Sequence, residues 1–336
     1  MAKAVRFEEE VAQALGGLPH LSEPSPRPRR REVAVLIPCH DEAATVAGVV
    51  RGFAAALPGA TIYVYDNASK DDTVARAEEA GAVVRREPRR GKGQVVRRMF
   101  RDVEAEVYVL VDGDLTYEAD AAPRMVERLV GENLDLVTGE RIGGGEAAYR
   151  TGHRFGNRAL TGAIRLLFGA DTRDMLSGYR VMSRRFVKSF PTASTGFEIE
   201  TELTVHALEI GAPVLEVPTA YAERPDGSAS KLNTLRDGFR IATMIARLLQ
   251  RERPLQVFGA IGAAAFVIGA VLAAPILATY FATGLVPRLP SLVAAATLGL
   301  FGTLSVFAGA ILGNLAEARR EVKRLFYLQL GGPGGA

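Results

Sequence analysis

Asp112-Gly113-Asp114 closes an apolar run, Val107-Tyr108-Val109-Leu110-Val111. A run of this length bounded by polar residues reads as a buried strand of an α/β sheet. Carboxylates at the carboxyl end of such a strand face the crevice where open α/β sheets bind ligands. They are hard oxygen donors, suited to a Mg2+ or Mn2+ ion that also holds phosphate oxygens. Asp112 and Asp114 are therefore the candidate metal ligands. A lone Asp-x-Asp triplet also fits a surface turn, so the rest of the chain has to decide.

Three more segments could do related chemistry. Ile37-Pro38-Cys39-His40-Asp41-Glu42 ends an earlier apolar run. A dinucleotide oxidoreductase would need Gly-x-Gly-x-x-Gly here, and Pro38 stands in the turn instead. Asp66-Asn67-Ala68-Ser69 ends the next run, where Asp66 is placed to accept hydrogen bonds from a base or ribose. Gly91-Lys92-Gly93 opens a helical stretch, so backbone N–H groups and Lys92 can meet phosphate there. It lacks the spacing and the Ser or Thr of a P-loop.

The elements that position these residues alternate. Residues 33–37, 61–65, 82–85, 107–111 and 134–138 read as strands, with helices over 43–56, 71–80, 91–103 and 119–130 between them. That alternation predicts a parallel, doubly wound α/β sheet. Residues 1–31 read as a short helix, about 7–15, and a Pro- and Arg-rich linker. Leu232, Leu235, Phe239, Ala242, Ile245 and Leu249 fall at helical spacing, with Arg236, Arg240, Arg247 and Arg251 on another face. This segment, 232–253, predicts an amphipathic helix in the headgroup region of a bilayer or, alternatively, a helix packed on the domain.

Charge distribution says more than the net +3 of 41 basic and 38 acidic residues, which implies no nucleic-acid partner. No charged residue lies between Pro254 and Pro287, or between Leu289 and Ala316. Each stretch exceeds the roughly 20 residues that cross a bilayer. Arg247, Arg251 and Arg253 precede the first; Arg319, Arg320, Lys323 and Arg324 follow the second. By the positive-inside rule the pair is a hairpin at 254–316 with both flanks cytoplasmic, about 255–283 and 290–315, and 317–336 is a cytoplasmic tail. The same rule makes the large N-terminal region cytoplasmic, and residues 1–31 show no apolar signal-peptide core. The single cysteine, Cys39, fits a reducing compartment.

These pieces, in this order, resemble glycosyltransferase family 2, and within it the dolichol-phosphate mannose synthase-like branch that acts on polyprenyl phosphates. Pro38-Cys39-His40-Asp41-Glu42 resembles the family's Pro-x-x-Asn-Glu, and Asp66-Asn67-Ala68-Ser69 its Asp-Asp-Gly-Ser. Asp112-Gly113-Asp114 resembles its Asp-x-Asp; Leu115-Thr116 replaces the Leu-Gln that often follows. Gly139-Glu140-Arg141 is similar to Gly-Ser-Arg, and Ser177-Gly178-Tyr179-Arg180 to Ser-Gly-Phe-Arg. Glu223-Arg224, Gly227 and Ser230-Lys231-Leu232 resemble Arg-x-x-Gly-x-Ser-Lys with one extra residue. Arg150, Gly156 and Asn157 resemble the arginine-rich acceptor segment, with His153 where a serine is usual.

The resemblance implies a GT-A fold, a nucleotide-sugar-binding, Rossmann-like mixed sheet, over 32–231. It implies that Pro38, His40, Glu42, Asp66, Lys92, Asp112, Gly113 and Asp114 hold the donor. Arg141, Arg150, His153, Ser177, Arg180 and Arg224 would hold the acceptor phosphate. Asp114, Arg141, Arg224, Lys231 and Glu200 would carry the reaction, Glu200 standing where relatives with hydroxyl acceptors place a base. The implied activity is an inverting, Mg2+- or Mn2+-dependent transfer of one hexose to polyprenyl or dolichyl phosphate. UDP-sugars are favoured, with GDP-mannose open. The setting is the cell (inner) membrane, with homo-oligomers through the hairpin a further option. Two other readings share the fold: a processive polysaccharide synthase, which the absence of tryptophan disfavours, and a catalytically silent membrane scaffold.

Overall fold

The computed structural model describes residues 32–143, 161–162, 165, 169, 173–191, 199–222, 243 and 245–332. The expected N-terminal helix and linker, and most of segment 232–253, lie outside them.

Seven strands form one sheet: β1 (Val33–Cys39), β2 (Thr61–Asp66), β3 (Val83–Arg86), β4 (Val107–Leu110), β5 (Leu136–Ile142), β6 (Arg180–Ser183) and β7 (Val214–Ala220). Their order is β3-β2-β1-β4-β6-β5-β7. The first four pair in parallel. β6 then inserts antiparallel to both β4 and β5, while β7 runs parallel to β5. Six strands therefore point the same way and β6 alone is reversed: the parallel sheet read from the alternation is the mixed sheet that the family resemblance implied. β6 and β7 carry no turn-bounded apolar run of their own to betray them.

Strand pleating sends alternate side chains to opposite faces. Val107, Val109 and Val111 join one core with Val35, Val64 and Val181, covered by α1 (Val46–Ala56) and α4 (Ala121–Gly131). Tyr108 and Leu110 join the other with Leu36, Leu136 and Met182, covered by α3 (Lys92–Asp102), α5 (Arg184–Ser189) and α6 (Ile199–Ile210). The short α2 (Thr73–Glu79) follows β2. Burial of β4 on both faces explains why that run is continuously apolar.

Two long helices complete the chain, α7 (Pro254–Thr283) and α8 (Leu289–Gln329). They run antiparallel. Gly262 faces Gly302 without room for a side chain, and Gly269 against Ala295 and Gly309 against Phe258 and Leu255 are tight contacts. The remaining apolar side chains stay outside, with Val271 68%, Phe281 83% and Phe307 62% exposed. At about 1.5 Å per residue both helices are longer than the roughly 30 Å hydrocarbon core.

α8 runs on past 316 into the segment expected as a cytoplasmic tail. It continues unbroken to Gln329, and its Tyr327 enters the core beside α5 and α6. Residues 245–252 are helical, the described end of the expected amphipathic segment, and there Ile245 and Leu248 pack on Met175 and Val205 of the domain.

Candidate active site

The candidate site lies at the carboxyl ends of β1, β2 and β4. The first two loops are laced together. Asp41 N–H donates to Ser69 Oγ at 2.9 Å, Lys70 N–H to Asp41 Oδ1 at 2.7 Å, and Glu42 N–H to Thr73 Oγ1 at 2.9 Å. Asp41 (φ 53°), Ala68 (φ 57°) and Leu115 (φ 60°) hold left-handed backbone, one after each of these strands. Non-glycine residues in that region cost energy, and such positions cluster at functional sites. Asp66 is buried and accepts from Ser69 N–H at 3.1 Å. Glu42 Oε2 accepts from Thr45 Oγ1 at 3.3 Å, and Pro38 pairs with Tyr65 inside the sheet. His40 Nε2 lies 3.5 Å from Asp41 Oδ2.

Asn67 organises the next loop. Its amide donates to the carbonyls of Glu87 (2.9 Å) and Arg89 (2.8 Å), and its Oδ1 accepts from Gly91 N–H at 2.8 Å. An aspartate there could not donate. Gly91 has φ 122°, which suits glycine, and turns the chain into α3 so that Lys92 is its first residue.

Lys92 reaches over the sheet to two carboxylates. Its Nζ lies 2.5 Å from Asp112 Oδ1 and 2.5 Å from Glu200 Oε1 of α6. Burial alone would depress the ammonium's pKa, but Asp112 and Glu200 outweigh it and hold it well above the usual lysine range. Asp114 is buried and accepts from Thr116 Oγ1 at 2.6 Å. Between the two aspartates, Gly113 C=O accepts from Thr45 Oγ1 at 2.7 Å, and its Cα passes directly over the buried Cys39.

Asp112 and Asp114 fit a divalent cation. The Asp112 carboxylate keeps 29% side-chain exposure and rests on Gly178, where a Cβ would occupy its place. Among the described residues no cluster of three His, Cys, Asp or Glu side chains exists. Two carboxylates suit a cation that completes its shell with phosphate oxygens and water.

The residues expected around the acceptor divide. Arg141 grips Asp174 with Nε and Nη2, both at 2.7 Å, and stacks over Tyr221 at 5.4 Å. Asp174 was not singled out from the sequence; nothing local marks it. Ser177 is fully buried, its hydroxyl donating to Gly139 C=O at 2.6 Å. Arg180 is likewise buried, donating to the carbonyls of Ser177 (3.1 Å) and Met175 (2.8 Å). Both side chains serve the backbone of the loop that carries Gly178. Arg150, His153, Arg224 and Lys231 lie outside the described residues.

Known proteins share this architecture. The family described as Glycosyl transferase family 2 matches residues 34–190. Glycosyltransferase AglJ of Haloferax volcanii is 34% identical over 305 residues, 88% of this chain and 98% of that protein. A dolichyl-phosphate hexose transferase of the same organism is 28% identical over 224 residues, 66% of this chain and 96% of that one. Glucosyl-3-phosphoglycerate synthase from Mycobacterium tuberculosis, crystallised with Mn2+, uridine-diphosphate-glucose and phosphoglyceric acid, superposes with TM-score 0.53 at 26% identity, covering 66% and 79% of the two chains.

Proposed function

Since the chain belongs to glycosyl transferase family 2, we propose that it is a membrane-bound, inverting hexosyltransferase. It takes one sugar from a nucleotide diphosphate sugar, a UDP-sugar before GDP-mannose, and gives it to a polyprenyl or dolichyl phosphate. The observation that carries this reading is the Lys92–Asp112 pair at the mouth of the sheet, with Asp114 buried two residues on, in a domain bonded to the base of an apolar helical hairpin.

In this reading Pro38, His40, Glu42 and Asp66 line the donor's nucleoside, and Lys92 at the start of α3 meets its diphosphate. Mg2+ or Mn2+ held by Asp112 and Asp114 would offset the charge of the departing nucleoside diphosphate. The attacking group is a phosphate oxygen of the lipid, whose second pKa of about 6 leaves it largely dianionic at neutral pH. Such a nucleophile needs cationic positioning more than a base. Arg141, fixed by Asp174 and Tyr221, supplies that from the described residues; Arg150, His153, Arg224 and Lys231 are assigned the same task from their motifs. Ser177 and Arg180 support it by holding their loop. The hairpin would span the membrane with both flanks on the cytoplasmic side, keeping the site at the level of the lipid phosphate.

The test uses membranes containing the full chain, Mn2+ or Mg2+, undecaprenyl or dolichyl phosphate, and a panel of radiolabelled nucleotide sugars. Label passing into the organic phase from one donor, and lost in Asp114→Asn, is the expected result. No lipid-linked label from any donor would overturn the acceptor assignment. Recovery of the protein in the soluble fraction without detergent would overturn the hairpin.

A further inference from the structure

α6 joins the site to the hairpin. Its first turn carries Glu200, bonded to Lys92. Its last turn carries Glu209, whose Oε2 lies 2.5 Å from Lys323 Nζ of α8. Glu209 follows Glu200 by nine positions along the helix, about 13.5 Å at 1.5 Å per residue. Both are buried: Glu200 keeps 7% and Glu209 1% side-chain exposure.

α8 is pinned on either side of Lys323. Before it, Arg319 Nη2 donates to Glu252 Oε1 at 3.1 Å and Arg320 Nη2 to Glu252 C=O at 2.7 Å. After it, Tyr327 OH lies 2.5 Å from Asp135 Oδ2, and Arg185, which grips Asp135 at 2.6 Å twice, stacks on the Tyr327 ring. Glu209 also meets the Glu252 carboxylate, so Lys323 is the chief cation that keeps this buried carboxylate charged and in place.

We infer that the Lys323–Glu209 pair is a positioning device for the site. Through it α8 sets the place of α6, and so keeps Glu200 on Lys92. The ammonium is then shared between Glu200 and Asp112. Without Glu200 it would neutralise Asp112 alone and compete with any cation there. Lys323 and Glu209 are positioning residues and touch neither substrate. The inference rests on the proposed function only in placing a divalent cation at Asp112.

The experiment measures Mn2+ binding to the full chain in nanodiscs by electron paramagnetic resonance of the free ion, with neither donor nor acceptor present. It compares Lys323→Met, Glu200→Gln and the double variant. Each single change should weaken Mn2+ binding several-fold, and the double variant should be no weaker than Glu200→Gln. Changes more than about 10 Å apart ordinarily add, so this lack of additivity reports transmission along α6. Lys323→Arg should keep the affinity of the unaltered chain. If Lys323→Met does not insert and fold, Glu209→Asp, which retracts the same contact by one methylene, should give an intermediate loss. Additive effects, an unchanged affinity in the folded Lys323 or Glu209 variant, or no Mn2+ binding by the unaltered chain would overturn the inference. Because neither substrate is present, failure of the lipid-transfer assay leaves this result standing and counts against the acceptor alone.

Discussion

Gly178 and Asp112, 66 residues apart in the chain, are in such close contact that a methyl group on Gly178 would lie 2.8 Å from Asp112 Cγ and closer still to Oδ2. The carboxylate cannot keep its place beside Lys92 if that methyl is present. Overpacking of this kind costs about 1–3 kcal/mol, or roughly 5- to 150-fold in an equilibrium. Gly178→Ala should therefore lose Mn2+ affinity and transfer by about that factor, with the melting temperature falling only a few degrees. Full activity in Gly178→Ala would show that Asp112 is free to sit elsewhere.

The middle residue of the carboxylate triplet is constrained from below. A Cβ on Gly113 would come within 2.6 Å of Cys39 Sγ, with ordinary contacts to Ile37 and Pro38. Gly113→Ala should destabilise by about 1–3 kcal/mol. Adding Cys39→Ala removes the sulfur and should restore most of the loss. A double variant as unstable as Gly113→Ala in thermal denaturation would place the strain elsewhere.

Asn67→Asp restores the residue usual in the family motif, yet it should be harmful here. The change removes both donors to Glu87 and Arg89 carbonyls and sets a carboxylate against them. Leaving such buried groups unpaired costs about 1–3 kcal/mol. The loop that delivers Lys92 would loosen, so the donor KM should rise roughly 10-fold or more while kcat changes less. An unchanged donor KM would remove Asn67 from the site.

Glu200 and Asp114 should separate in their kinetics. Asp114→Asn should abolish measurable transfer, whereas Glu200→Gln should reduce it by no more than about 10-fold, since a dianionic phosphate needs no base. Steady-state rates with the same donor decide the matter. A Glu200→Gln enzyme as inactive as Asp114→Asn would make Glu200 a general base and point to a hydroxyl acceptor.

His206 predicts an acid-sensitive window. It packs between Phe186 and Phe190, both ring centroids 5.3 Å away. Burial, helped by Lys323, lowers its pKa to about 4 from an ordinary 6.5. The folded state thus binds fewer protons than the unfolded state between those values. The contribution is fully present above pH 6.5 and is lost progressively as pH falls toward 4. His206→Leu should flatten the pH dependence of the melting temperature in that window. A slope identical to the unaltered protein's would show that His206 protonates without unfolding cost.

Much of this was written locally in the chain. The apolar runs ending at Cys39, Asp66 and Val111, the helix starting at Lys92, and the two uncharged stretches after Pro254 all follow from periodicity and composition over a few residues. Those signals placed Asp66, Lys92, Asp112 and Asp114 at one edge of a sheet, because strand ends in an α/β alternation collect on one side.

Tertiary structure alone decided what each of them faces. Lys92 meets Glu200 across 108 residues, and Arg141 meets Asp174 across 33, pairings that no local period encodes. Arg180, by residue type an outward charge, turns inward because the loop carbonyls of Met175 and Ser177 await its donors. β6 reverses the sheet because its strand is built from partners on both sides and not from its own pattern. α8 runs past the apolar stretch because Lys323 and Tyr327 find Glu209 and Asp135 on the domain. Periodicity reports which face of an element is apolar; which carboxylate a given cation meets is set by topology.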